Sequence, residues 1–305
     1  MSFAFRADET VEQGMRRIVA KQLEALIEIF SHKKRMSRIA AAHKARKRLK
    51  KLRALLRLVR GAIGEKVFKE HNKLFRDAGR ASSSFRDASV MLASFDHLLE
   101  HFHRRPSSSS LKSIRAHLLK RRRELLHEDS HSSQIRHTAK HLQTAKRDSR
   151  KWKLKCEGWT AVRGGLQQTY RDGRKAFLAA ENDPRDTKLH EWRKRVKDLR
   201  HQLELLRELW PRELQMVADE AHQLGDWLGN DHDLAMLRET LANAVGMETV
   251  QRLINSRRKQ LQAEAILLGS RLYRRKPAAF TKRIHDLLPK DETARNIFQC
   301  APIGR

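Results

Sequence analysis

The chain has 305 residues, 39% of them hydrophobic, enough to bury a core as one large domain or two small ones. Lys and Arg number 66 against 36 Asp and Glu, a formal net charge of +30. That is far beyond the ~2 to 8 that keeps a small domain soluble, so the chain repels itself and calls for an anionic partner. Cys156 and Cys300 belong to no ligand-spaced cluster, no apolar run approaches the ~18 residues of a membrane span, and the first residues lack a signal-peptide pattern. These features exclude a disulfide scaffold and lead to the expectation of a cytoplasmic protein without a membrane segment.

Few prolines and glycines, with apolar residues at three- and four-residue spacing, predict an all-α fold. In chain order, helices are expected at 9–30, 36–60, 64–80, 86–103, 111–127, 132–154, 158–181, 185–209, 212–228, 232–243, 247–274 and 278–288. Gly61 and Gly64, "RRPSSSS" at 104–110, "ENDPRD" at 181–186, "WPRE" at 210–213 and "LGND" at 228–231 read as the breaks. The charged stretch 140–159 shows no clear apolar stripe and divides the chain into halves, 1–150 and 151–305.

The halves resemble each other. "HKARKRLKKLR" at 43–53 returns 147 residues later as "HEWRKRVKDLR", carrying His43, Arg46, Lys47, Lys50, Leu52 and Arg53 onto His190, Arg193, Lys194, Lys197, Leu199 and Arg200. Asp87 of "RDASVML" and Asp233 of "HDLAMLR" correspond at an offset of 146, and "IRAHLLKRRREL" aligns with "VQRLINSRRKQL" at 136.

On a helix, ~100° of arc per residue places His43, Arg46, Lys47, Lys50, Arg53 and Arg57 on one stripe, and Ala45, Leu49, Leu52, Leu56 and Val59 on the neighbouring face. At ~1.5 Å of rise per residue the stripe is a cationic rail about 21 Å long beside a buried seam. The second half rebuilds it with His190, Arg193, Lys194, Lys197 and Arg200, backed by Trp192, Val196, Leu199, Leu203 and Leu206. Glu204 stands where the first rail has Arg57, so the second rail is expected to be shorter or locally neutralised. A merely solvated face would intersperse acids for i, i+4 pairing, yet 31–60 contains none. His43 and His190 head the rails, where each can donate to a phosphate oxygen.

Further cations lie on the helix before each rail: Arg16, Arg17 and Lys21 in the first half, and Arg171, Arg174 and Lys175 in the second. Arg121 with Arg122 and Arg257 with Arg258 are paired on a later helix. Asp87 and Asp233 read as helix N-caps, or as acids that orient a rail cation. "HEDSH" at 127–131 fits a zinc-protease pattern but sits where an arginine-rich helix gives way to turn residues, and the second half does not repeat it. The His97/His101 and His137/His141 pairs are what sixteen histidines produce by chance. P-loop, nucleophile-elbow and dinucleotide fingerprints are absent, so neither catalysis nor a cofactor is expected.

The duplicated "HKARKRLKKLR" and "HEWRKRVKDLR", with "RDASV" and "LGNDHDLAML" following, resemble the CHAD family, the conserved histidine α-helical domain. The resemblance covers nearly the whole chain. It implies a single domain of two pseudo-symmetric four-helix bundles whose basic helices line a central groove for inorganic polyphosphate. The expected ligands are Arg17, Lys21, His43, Arg46, Lys47, Lys50, Arg53 and Arg57, with Arg171, Arg174, His190, Arg193, Lys194, Lys197 and Arg200. It also implies a stand-alone binding module, which can collect on polyphosphate granules. Non-specific DNA or RNA binding is the alternative; against it, aromatics make up only 6% of residues and Trp192 falls on the apolar side of its helix.

Overall fold

A computed structural model describes residues 3–31, 37–80, 84–103, 109–127, 132–209, 213–242 and 247–287. The described residues form twelve α-helices and one 3-10 turn. They are α1 (Val11–Ser31), α2 (Arg38–Leu58), α3 (Arg60–Ile63), α4 (Glu65–Arg80), α5 (Ser84–His101) and α6 (Ser109–His127), then α7 (Ser132–Ser149), α8 (Gly158–Asn182), α9 (Asp186–Leu206), α10 (Glu213–Thr240), α11 (Met247–Leu272) and α12 (Pro277–Asp286). The all-α expectation holds.

The two basic helices form for the reason their pattern suggests. Leu49, Leu52 and Leu56 are buried on one side of α2, with Val59 buried at its C-cap, and Trp192, Val196, Leu199, Leu203 and Leu206 on one side of α9. Ser37 caps α2, its hydroxyl accepting from the Ala40 amide at 3.3 Å. At the other end Gly64, with φ of 90°, turns the chain out of α3 into α4.

Two hydrophobic clusters hold the helices, and each draws on both sides of position 150. The larger joins α1, α2, α4, α7, α8 and α9 with the start of α10, the end of α11 and α12. The smaller unites α5 and α6 with the second half of α10 and the first part of α11, through Phe95, Leu98, Ile114, Leu237 and Ile254.

Two expectations are corrected. The "LGND" break lies inside one continuous helix, α10. Its turn-like Asp231 is buried and accepts from Arg258 Nε at 2.9 Å and Gln262 Nε2 at 2.8 Å, so a residue that read as a loop is a satisfied core carboxylate. Nor is 140–159 without a stripe: continuing from Thr138, the residues Leu142, Ala145 and Ser149 are buried along α7, which packs on α1. Half of that stripe is small and polar, which hid it; the Ser149 hydroxyl is satisfied by the Lys146 carbonyl at 2.8 Å.

The connector after α7 is strapped down. Arg16 Nε donates to the Trp152 carbonyl at 2.9 Å, the Leu154 amide to Glu12 at 2.7 Å and the Lys155 amide to the Ala62 carbonyl at 2.9 Å. Beyond it α8 lies so close to α2 that a Cβ on Gly165 would collide with the carbonyls of Arg57 and Leu58. The end of the first basic helix is thereby fixed against the second half.

Candidate functional site

Helices α2 and α9 pack against each other, and α4, α5 and α10 complete the walls of a cleft of about 590 Å³. From α2 come Arg46, Lys50, Arg53 and Arg57; from α9 come His190, Arg193, Lys194 and Lys197. The 3.6-residue period of each helix turns its apolar seam into the core and its cations toward the same space.

The four arginines of the two motif helices have definite partners. Arg46 Nη1 donates to the Gly79 carbonyl at 3.2 Å, Arg53 Nε to Asn72 Oδ1 at 3.0 Å, and Arg57 Nη1 to Asp198 Oδ1 at 3.0 Å. Arg193 is buried, its Nη2 3.8 Å from Asp233 of α10. Burial, with repulsion from Arg57, Arg76 and Arg80 only partly offset by Asp198, pulls the Arg53 guanidinium down to about 10. Positive charge in the cleft is thus held at a cost that a bound anion would offset.

His190 has its ring 4.4 Å from that of His232, and its buried Nδ1 has no hydrogen-bond partner. Burial, then Lys194 and Arg193, lowers its pKa and favours the neutral ring.

The remaining expected ligands lie elsewhere. His43 and Lys47 are exposed and outside the cleft lining. Arg17 clamps the N-terminal segment, donating to Glu9 Oε2 at 2.7 Å and to the Ala4 carbonyl at 2.8 Å. Lys21 is half-buried on α1, away from the lining. On α8, Arg171 reaches Gln168 at 3.0 Å and Arg174 the Tyr273 carbonyl at 3.2 Å; Lys175 is exposed. Arg200 turns to α10, 3.1 Å from His222 and 3.7 Å from Asp226.

Glu204 also departs from its expected role. It pairs with Lys51 of α2 at 2.5 Å and His201 at 3.2 Å, outside the cleft lining. Among the described residues, the acids that do neutralise the cleft locally are Asp198 and Asp233. Asp233 sits well inside α10, so it is no N-cap; it faces Arg193 as an orienting acid would. Asp87 falls in α5, and its side chain lies outside the described residues, as does "HEDSH" beyond His127.

The sequence reading missed Arg76 and Arg80, which line the cleft from α4, and Arg195, His201 and His232. Arg76 and Arg80 stand at i, i+4, a signal that was legible; Asp77, 2.9 Å from Arg76 and 3.9 Å from Arg80, masked it. Arg258 is structural, its Nη2 reaching Asp186 Oδ1 at 2.5 Å beside its contacts with Asp231. His137 and His141 face each other at 2.8 Å. No group of three or more His, Cys, Asp or Glu among the described residues is placed to hold a metal ion.

Fold and site define a class: an all-helical protein whose two matching basic helices converge on one positively charged cleft. The chain belongs to the CHAD family, whose domain model matches residues 17–242. Among solved structures it is similar to the crystal structure of the CHAD domain from the plant Ricinus communis, with a TM-score of 0.54 and 14% identity over 93% of this chain and 95% of that one. At that identity the likeness is one of fold. No curated protein matches the chain by sequence. No described helix is long and apolar enough to cross a membrane.

Proposed function

We propose that this protein binds inorganic polyphosphate in the cleft between α2 and α9, as a non-enzymatic module. The observation that carries the reading is the convergence of Arg46, Lys50, Arg53 and Arg57 with Arg193, Lys194 and Lys197, two copies of one motif, on a single space. A chain of phosphates carries about one negative charge per unit and no bases, so it needs closely spaced cations rather than stacking platforms. Arg supplies forked hydrogen bonds to its oxygens and Lys a mobile charge. The CHAD family is associated with polyphosphate in general. Among the described residues Phe75 is the one Phe, Tyr or Trp lining the cleft, and it is fully buried, which favours this ligand over single-stranded nucleic acid. Both acids that line the cleft among the described residues face an arginine, a binding rather than metal-holding arrangement. A cytoplasmic place and association with polyphosphate granules belong to the same proposal.

Competition tests it. Long-chain polyphosphate should displace labelled DNA or RNA at a far lower phosphate concentration than nucleic acid displaces polyphosphate, and affinity should fall steeply with salt. The reverse order of displacement would transfer the cleft to nucleic acid, and release of orthophosphate with magnesium, abolished by a single substitution in the cleft, would make it an enzyme.

A further inference from the structure

A second concavity shares no lining residue with the basic cleft. It has a volume of about 450 Å³ and is bounded by the start of α10, the end of α11 and α12. Leu214 and Val217 come from one face of α10, and Phe280, Ile284 and Leu287 from one face on and just after α12, each set at helical spacing. Its floor is buried, but Met216 on its lip is 71% exposed, one of three large hydrophobics exposed among the described residues. In the first half α7 packs on both α1 and α4, whereas α12 packs chiefly on α8, and no other described residue fills its side toward α10, which forms this groove.

The rim carries Arg271, Arg274, Arg275 and Arg283 against one acid, Glu220, which Arg271 already engages at 2.8 Å. Arg274, Arg275 and Arg283 are exposed and form no ion pair with any described residue. An apolar trough between two helices with a cationic rim has the chemistry of helix-in-groove recognition.

We propose that this groove docks an acidic amphipathic helix of a partner protein, its apolar face on Met216, Val217 and Leu287 and its carboxylates on Arg274, Arg275 and Arg283. Charge complementarity selects this occupant. A second copy of a chain carrying +30 would bring further positive charge to an arginine rim, and a bare polyanion would leave the trough uncovered.

The test uses the full chain and a labelled peptide of about 16 residues, roughly four helical turns, with Leu at i, i+3, i+4 and i+7 and Glu on the opposite face. A scrambled isomer of equal charge is the control. Fluorescence anisotropy should show the amphipathic peptide binding about tenfold tighter or better than the isomer, a difference of about 1.4 kcal/mol or more. Met216→Glu and Arg283→Glu, both at exposed positions and outside the basic cleft's lining, should each reduce that preference, leaving polyphosphate binding at the cleft unchanged. Equal binding of the two peptides overturns the proposal, as does a preference that survives both substitutions. It also fails if the preference appears only after deletion of 288–305, which would assign the groove to the chain's own tail. Anionic vesicles bound with the same sensitivity to Met216→Glu would assign it to a lipid surface instead.

Discussion

Arg57 of α2 donates to Asp198 of α9 at 3.0 Å, and both side chains line the basic cleft with about a fifth of their surface exposed. The pair ties the two motif copies together and places a carboxylate where the proposed ligand would lie. Asp198→Asn should therefore tighten polyphosphate binding a few-fold at low salt. It should also cost about 1 to 3 kcal/mol of stability, because it leaves a largely buried guanidinium without its counter-charge. Titration and urea denaturation measure the two effects; weaker binding by a folded Asp198→Asn protein would mean that the carboxylate positions Arg57 for the ligand.

Lys50 and Lys197 occupy matching positions in the two motif copies and line the same cleft. Charge reversal at either should weaken polyphosphate binding by a similar factor. If each removes one phosphate contact, each lowers the slope of log affinity against log salt by about 0.7, the single-strand value. Lys47→Glu, on the exposed outer side of α2, should change affinity less than Lys50→Glu. A titration in which only one half responds would refute a shared site.

Much of this arrangement could be read from the residues, and the misreadings have physical causes. The alternation of Leu49, Leu52 and Leu56 with Arg46, Lys50 and Arg53 states which face of α2 is buried, and helical geometry does the rest. Arg17 and Arg174 look equally basic in sequence, yet bind the Ala4 and Tyr273 carbonyls, because the groups that claim them come from other parts of the fold. Asp231 looks like a turn residue until Arg258, 27 positions later, arrives at 2.9 Å. The α4 arginines enter the site through packing of α4 on α2, which no local pattern specifies.

Glu204 gives a stability prediction. Burial raises its carboxyl, but hydrogen bonds from His201 and Lys51 outweigh that and hold it at about 2, against an ordinary 4.5. A folded-state pKa below the unfolded one contributes stability that is full above about 4.5 and fades as pH falls toward about 2. At roughly 1.4 kcal/mol per unit the contribution is on the order of 3 kcal/mol at neutral pH, and less after screening at its partly open edge. Glu204→Gln should be destabilised by about 2 kcal/mol at pH 7, and the gap from the parent should close as acid approaches pH 2. A gap independent of pH would assign Glu204 to packing.

Gly165 gives another. A methyl group there would meet the carbonyls of Arg57 and Leu58, rigid backbone that cannot turn aside, so Gly165→Ala must push α8 off the end of α2. The expected cost is about 1 to 3 kcal/mol, accompanied by weaker polyphosphate binding because Arg57 shifts with its helix. Gly61→Ala, which meets nothing within 4 Å, is the control and should leave both unchanged.

The pH dependence of binding separates the two histidines that head the motif copies. His190 lines the cleft with its pKa lowered by burial, Lys194 and Arg193, and with a smaller contribution of the same sign from Lys50 across the cleft; Glu191 opposes them. At neutral pH the ring is therefore mostly uncharged in the empty protein. A phosphate chain among those cations reverses the local field and raises the His190 pKa, so binding takes up a proton wherever the free ring is neutral and the bound ring charged. By linkage, affinity should rise as pH falls from about 8 toward the free-state pKa, which lies below 6.5, and level off beneath it. Calorimetry in buffers of different ionisation enthalpy should register the proton, and His190→Gln should abolish both the uptake and most of the slope. His43, exposed and outside the lining, should contribute little, so His43→Gln should keep the parent's pH profile. The opposite assignment, a profile flattened by His43→Gln and untouched by His190→Gln, would move the ligand's path from the cleft to the outer end of α2.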